Sequence, residues 1–227
     1  MKRGKKPKII KSQLKGKGFK NAITSRVKAV FKGISKEMPA QVKAIVESPH
    51  GNVPIIRVAL GRNKVQGYVQ KFLNGISLGQ YEKAKQKLNY DDVYHNYLIL
   101  FLSNGAKYKL EKNERVSLKP TSENGQFTMF NTNQPTLRSL FSNAQNRYHS
   151  SLWLYHPQSN NCQHFVKQIC TANRILPDSN ASIQVYNGQD AGQLLKNIKG
   201  PLSLIPKALT DVAAYGDHII HGGKVSY

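Results

Sequence analysis

Two runs of aromatic and aliphatic residues joined by Ser103-Asn104-Gly105 constrain this chain more than any other feature. The first is Tyr90-Asp-Asp-Val-Tyr-His-Asn-Tyr-Leu-Ile-Leu-Phe-Leu102, and the second is Ala106-Lys-Tyr-Lys-Leu-Glu-Lys-Asn113. Such side chains fit a pleated, half-buried surface, and Asn-Gly accepts the left-handed backbone that a tight hairpin turn requires. An antiparallel hairpin is expected, with strands over Leu98 to Leu102 and Lys107 to Glu111. A third strand, at about Arg115 to Lys119, would extend the meander.

The partner of that sheet is legible further on. Phe165, Val166, Ile169 and Cys170 recur at helical spacing, so Cys162 to Ile175 reads as a helix packed on the sheet and stopped by Pro177. Asn160 and Asn161 are good capping residues for its start. An α+β domain over 89–177 follows. Residues 39–88 read as a mixed cover: an apolar Val42 to Val46, a strand from Pro54 to Leu60 ended by Gly61-Arg62-Asn63, and helical spacing at Tyr68, Phe72, Leu73 and Ile76. A further helical stretch runs from Leu78 to Leu88. Residues 120–147 read as a loop with one helix at Thr136 to Asn146, and Ser151 to Tyr155 as a strand or packed segment. Residues 178–227 read as a polar linker and an amphipathic C-terminal tail, Ile205 to Ile220.

Charge sets the first 38 residues apart as a basic arm. The formal net charge is +22, and Met1 to Lys36 holds thirteen Lys or Arg and no Asp or Glu. Such a block repels itself, buries little, and attracts nucleic acid or an acidic membrane surface through released counterions. It has no aromatic ladder, so nucleic-acid contacts would be phosphate-directed and sequence-independent. No apolar run reaches the roughly 20 residues of a membrane span, and the basic N-terminus does not read as a secretory signal. Two cysteines on one helix, eight residues apart, would be separated by about 12 Å, so both thiols should be free. A reducing compartment fits. No cofactor or metal site can be assembled from the residues: His149 and His156 flank Trp153 without a ligand set, and the glycines at 61, 67, 75 and 79 read as turns.

Cys162 sits at the predicted first turn of its helix, where free N–H groups and the macrodipole favour a thiolate. His95 lies at the front of the first hairpin strand, and Glu111 on the second could reach the far ring nitrogen. A thiolate, an imidazole and an orienting polar group are the parts of a cysteine hydrolase. The same cysteine would also serve as a small buried packing residue. His164 reads as a structural hydrogen-bonding residue.

The stretch Asn161-Cys162-Gln163-His164-Phe165-Val166 resembles the N-C-E-H-F-V signature of the lecithin:retinol acyltransferase-like family, a circularly permuted branch of the papain-like cysteine hydrolases. His95-Asn-Tyr-Leu-Ile-Leu resembles that family's first-histidine strand, and the chain order fits. The resemblance covers about Tyr90 to Ala172. It implies a permuted papain-like domain and an acyl-thioester mechanism with Cys162 as nucleophile and His95 as proton shuttle, acting on a lipid or other ester or amide. Two departures stand out: the family's second histidine is absent, with Glu111 the candidate in its place, and the signature Glu is replaced by Gln163.

Leu14-Lys-Gly-Lys-Gly18 and Ile220-His-Gly-Gly-Lys224 resemble recognition patterns of adenovirus-type maturation proteases, with cuts after Lys17 and Gly223. These patterns suggest a viral chain, found in the virion or in host cytoplasm or nucleus, with capsid proteins and such a protease as partners. A virion structural protein that keeps the fold without catalysis is the alternative.

Overall fold

Side chains that alternate between two faces build an antiparallel sheet, six strands wide among the described residues. The computed structural model describes residues 36–64, 74, 77, 79–113, 115–125, 127–156 and 158–198. Strands β1 (Ile55–Lys64), β2 (Tyr94–Leu102), β3 (Lys107–Lys112), β4 (Val116–Pro120), β5 (Thr128–Asn131) and β6 (Leu176–Pro177) take the order β4-β3-β2-β1-β5-β6. Every neighbouring pair is antiparallel. With the helices below, the class is α+β.

The β2–β3 hairpin turns over three residues rather than two. Gly105 has φ +85°, its N–H donates to Leu102 O at 3.0 Å, and Leu102 N–H donates to Ala106 O at 2.9 Å. Glycine thus takes the left-handed place that closes a three-residue loop. Asn104 contributes through its side chain, accepting from Ala106 N–H at 3.1 Å. The resulting register sets Leu98 opposite Leu110 and Tyr97 opposite Glu111.

One sheet face, with Val58, Leu60, Leu98, Leu100, Leu110, Leu118 and Phe130, forms the main core. Against it pack α1 (Ala40–Glu47), α3 (Leu137–Tyr148) and α4 (Cys162–Ala172), through Val42, Leu140, Phe141, Phe165 and Ile169, all fully buried. Each such side chain contributes about 1.5–3 kcal/mol on leaving water. The other face carries a smaller cluster, Ala59, Tyr97 and Ile99, and the charged residues Lys109 and Glu111 beside it.

Several sequence expectations change here. The strand expected in a cover is β1, paired with β2 on one side and β5 on the other, inside the sheet. It does not end at Gly61 but runs to Lys64. Gly61 is no turn: a Cβ there would lie 2.2 Å from the Tyr97 ring, which occupies the space of a side chain. The segment Val42 to Val46 belongs to α1, and α2 (Gln80–Lys87) lies within the expected Leu78 to Leu88 helix. Tyr68, Phe72, Leu73 and Ile76 fall outside the described residues.

Within 120–147, β5 forms where a loop was expected, because Phe130 pairs with Val58 and buries its ring. Of the two readings of Ser151 to Tyr155, the packed segment holds and the strand does not: a 3-10 turn over His149–Leu152 leads into it, with Leu152 and Trp153 buried. Helix α4 stops at Ala172, before Ile175, because Asn173 caps it and Arg174 turns left-handed at φ 53°. Pro177 instead lies in β6, opposite Phe130.

The polar segment after residue 178 is ordered as α5 (Asn180–Asn187) and α6 (Ala191–Lys196). Leu194, Leu195 and Ile198 bury themselves with Tyr81, Ala84 and Val93. The chain divides into Met1–Ile34 and Ser35–Tyr227. The basic arm to residue 35, the Ile205 to Ile220 tail and both terminal cleavage-like motifs lie outside the described residues. Among the described residues, no helix is long and apolar enough to cross a membrane.

Candidate active site

Cys162 is the first residue of α4, and Asn161 fixes that start. The Asn161 Oδ1 accepts the backbone N–H of Gln163 at 3.0 Å and of His164 at 3.2 Å. It also accepts the His164 ring Nδ1–H at 2.9 Å. His164 therefore braces the cap, and burial holds its imidazole below the ordinary value. Cys162 is a half-buried residue, whereas Cys170, two turns on, is fully buried; both thiols are free.

His95 and Glu111 share a sheet face, on adjoining strands. Tyr97 pairs with Glu111, so His95 sits diagonally across from the carboxylate, and its Nε2 lies 3.1 Å from Glu111 Oε2. The remaining ring nitrogen is left for the thiol: Cys162 raises the imidazole's titration and His95 lowers the thiol's. Further out, Lys109 Nζ stands 3.8 Å from Glu111 and 3.5 Å from Glu123, and 4.0 Å over the Tyr97 ring. The Tyr97 hydroxyl donates to Glu123.

The electrostatics follow from that chain of contacts. Burial disfavours the His95 imidazolium, but the Cys162 thiolate and the Glu111 carboxylate outweigh it, and the ring titrates well above its ordinary value. Burial likewise pushes the Cys162 thiol up, while His95 and the backbone N–H groups of Asn96 and Gln163 more than reverse it, leaving the thiol below the ordinary range. For Glu111, burial is overcome by the His95 hydrogen bond and charge and by Lys109 and Lys119, so the carboxyl stays low. Both shifts favour a thiolate–imidazolium pair over the neutral pair.

Two further residues complete the surroundings. Gln163 is buried, donating through Nε2 to Gln189 O at 2.9 Å and accepting Ala191 N–H at Oε1 at 2.8 Å. It thereby clamps the 189–191 segment onto the head of α4, with Asp190 capping α6 in turn. Lys112 is buried behind the same helix start. Its signal in the sequence is only its place beside Glu111, at the end of a strand whose odd and even positions face opposite ways.

No family model matches the chain, and no curated protein or solved structure matches it either. Among the described residues, no group of three or more His, Cys, Asp or Glu is placed to hold a metal ion. What the assembled groups can do chemically is nucleophilic: a thiol held low, a proton carrier coupled to it, and a carboxylate that fixes the carrier's orientation.

Proposed function

We propose that the chain is a thiol-dependent acyl hydrolase or acyltransferase with a permuted papain-like arrangement of the lecithin:retinol acyltransferase type. The observation that carries this reading is His95, whose Nε2 lies 3.1 Å from Glu111 Oε2 and whose charge is coupled to the Cys162 thiol at the head of α4. The order of the three in the chain, histidine strand first and cysteine helix last, and the antiparallel sheet beneath α4 support the same reading.

The Cys162 thiolate attacks the carbonyl carbon of an ester or amide, and the electron pair of the C=O bond moves to oxygen. The backbone N–H of Cys162, at the head of α4, is the proposed donor to that developing charge. Collapse of the tetrahedral species expels the alcohol or amine, which takes its proton from the His95 imidazolium, and leaves an acyl thioester on Cys162. His95, now neutral, accepts a proton from water or from an acceptor hydroxyl or amine as that group attacks the thioester. The thiolate leaves, and the starting pair is restored.

A lipid ester is the substrate class that suits the charge of the chain. The thirteen cationic residues of Met1 to Lys36 favour an acidic membrane surface or a polyanion, each contributing about 1 kcal/mol near an anionic lipid surface. The terminal cleavage-like motifs keep a virion setting and capsid partners within the same proposal. A thiol-directed acyl probe tests the central point: it should label the native chain and not Cys162→Ala, and phospholipid or activated-ester turnover should vanish in both Cys162→Ala and His95→Ala. Turnover that survives Cys162→Ala would end this reading.

A further inference from the structure

Lys112 closes β3 with its side chain wholly buried, at 0% exposure, although a lysine at a strand end ordinarily extends its ammonium to water. Its Nζ donates to the Leu152 carbonyl at 3.0 Å and to Asn160 Oδ1 at 3.2 Å, and stands 5.4 Å from the centre of the Phe165 ring. Asn160 lies two residues before the cysteine, and Phe165 three after it. Lys112 is thus built into the segment that presents Cys162. Strand alternation sends Glu111 to one sheet face and Lys112 to the other. The imidazole thus belongs to the Glu111 face of the sheet, and the ammonium holds the loop before Cys162 from the core face.

The charges around the sulfur show why a second cation belongs there. His95 answers two anions, the Cys162 thiolate and the Glu111 carboxylate. Lys109 approaches Glu111, yet lies closer to Glu123, a further anion. Lys119 also favours the Glu111 carboxylate, but from an exposed position where water screens it, and burial disfavours a charge on His164. Among the described residues, Cys162, Glu111 and Glu123 face His95 and Lys109, with Lys119 acting on Glu111 from an exposed position, and Lys112 adds a buried cation on the cysteine's side. An uncompensated negative charge in a buried site would drive a proton back onto the sulfur.

We propose that Lys112 is a positioning residue for the Cys162–His95 pair, a buried counter-cation that keeps the sulfur ionised beside an ionised Glu111 while its hydrogen bonds hold the cysteine loop. This inference rests on the reading of Cys162 as the nucleophile. Burial brings the Lys112 ammonium down to about 7, and the Cys162 thiolate works in the opposite direction. Coupling of this kind is reciprocal: whatever Lys112 does for the thiolate, the thiolate does for Lys112.

Lys112→Met and Lys112→Gln test it, the second keeping an N–H donor for the Leu152 carbonyl without the charge. In both, the pH midpoint of Cys162 alkylation by iodoacetamide should rise by about half a pH unit or more, a roughly threefold loss of rate on the acid side. That shift should appear whatever happens to the melting temperature. Midpoints equal to wild type in both variants overturn the proposal, even where stability falls. Should neither variant fold, the reciprocal measurement decides. The Lys112 ¹³Cε resonance must titrate at lower pH in Cys162→Ala than in wild type, and an unmoved midpoint overturns the inference. A wild-type Cys162 that alkylates with the ordinary midpoint of about 8.5 sinks the nucleophile itself and Lys112 with it. A depressed midpoint that His95→Ala raises and Lys112→Gln leaves alone sinks only the Lys112 inference.

Discussion

His95 Nε2 and Glu111 Oε2 lie 3.1 Å apart across neighbouring strands, and this contact decides which ring nitrogen of His95 is left for Cys162. Glu111→Gln keeps the shape but loses the charge that favours the imidazolium, so kcat/KM should fall by roughly tenfold to a hundredfold. His95→Ala, which removes the proton carrier, should cost about 10²–10⁴. Equal losses in the two variants would show that Glu111 does more than orient the ring.

The same contacts set the pH profile. Activity should rise as pH passes the lowered Cys162 value and fall as it passes the raised His95 value, a bell read from kcat/KM. Stability follows the same signs. The His95 contribution is complete below its unfolded value of about 6.5 and is lost as pH climbs through the raised folded value. The Glu111 contribution is complete above about 4.3 and is lost as pH falls through its lowered folded value. In thermal melts, the gap between wild type and His95→Ala should therefore narrow on the alkaline side, and the gap to Glu111→Gln on the acid side.

Alkylation separates the two cysteines. Cys162, partly exposed and held low by His95, should react with iodoacetamide at mildly acidic pH. Cys170 should not: burial drives its thiol far up, against only a hydrogen bond with Tyr186. Mass spectrometry of the digested protein should find the label on Cys162 alone until the chain is denatured.

Gln163 uses both ends of its amide, donating to Gln189 O and accepting from Ala191 N–H. Gln163→Glu restores the residue of the resembled signature but turns the donor into a carboxylate facing a carbonyl. A loss of about 1–3 kcal/mol, the cost of an unmet buried polar group, is expected. Denaturant melts should show it, whereas an unchanged or raised stability would mean that the clamp is not needed.

Gly61→Ala should disturb the site from behind. The new Cβ would press into the Tyr97 ring, next along the same face from His95, and overpacking of this kind costs about 1–3 kcal/mol. A folded Gly61→Ala protein should also show a displaced His95 ring resonance.

By itself the sequence determined the local pieces. The β2–β3 hairpin, the helix that begins at Cys162, its Asn161 cap and the placing of His95 and Glu111 on adjoining strands are all written in short windows. Turn chemistry, capping and side-chain periodicity act over a few residues. Only the tertiary structure decided what lies far apart in the chain. It put β1 in the middle of the sheet, paired β5 and β6 beside it, and folded Leu194 and Leu195 against α2. It turned Gln163 into a clamp and took Lys112 out of water behind Cys162. The physical reason is burial: a strand's neighbours and a charge's surroundings depend on segments far off in the chain, such as Val58 with Phe130 or Tyr90 with Gln193, 103 residues apart. No propensity of Lys112 itself distinguishes a solvated ammonium from one enclosed by Leu152 and Asn160.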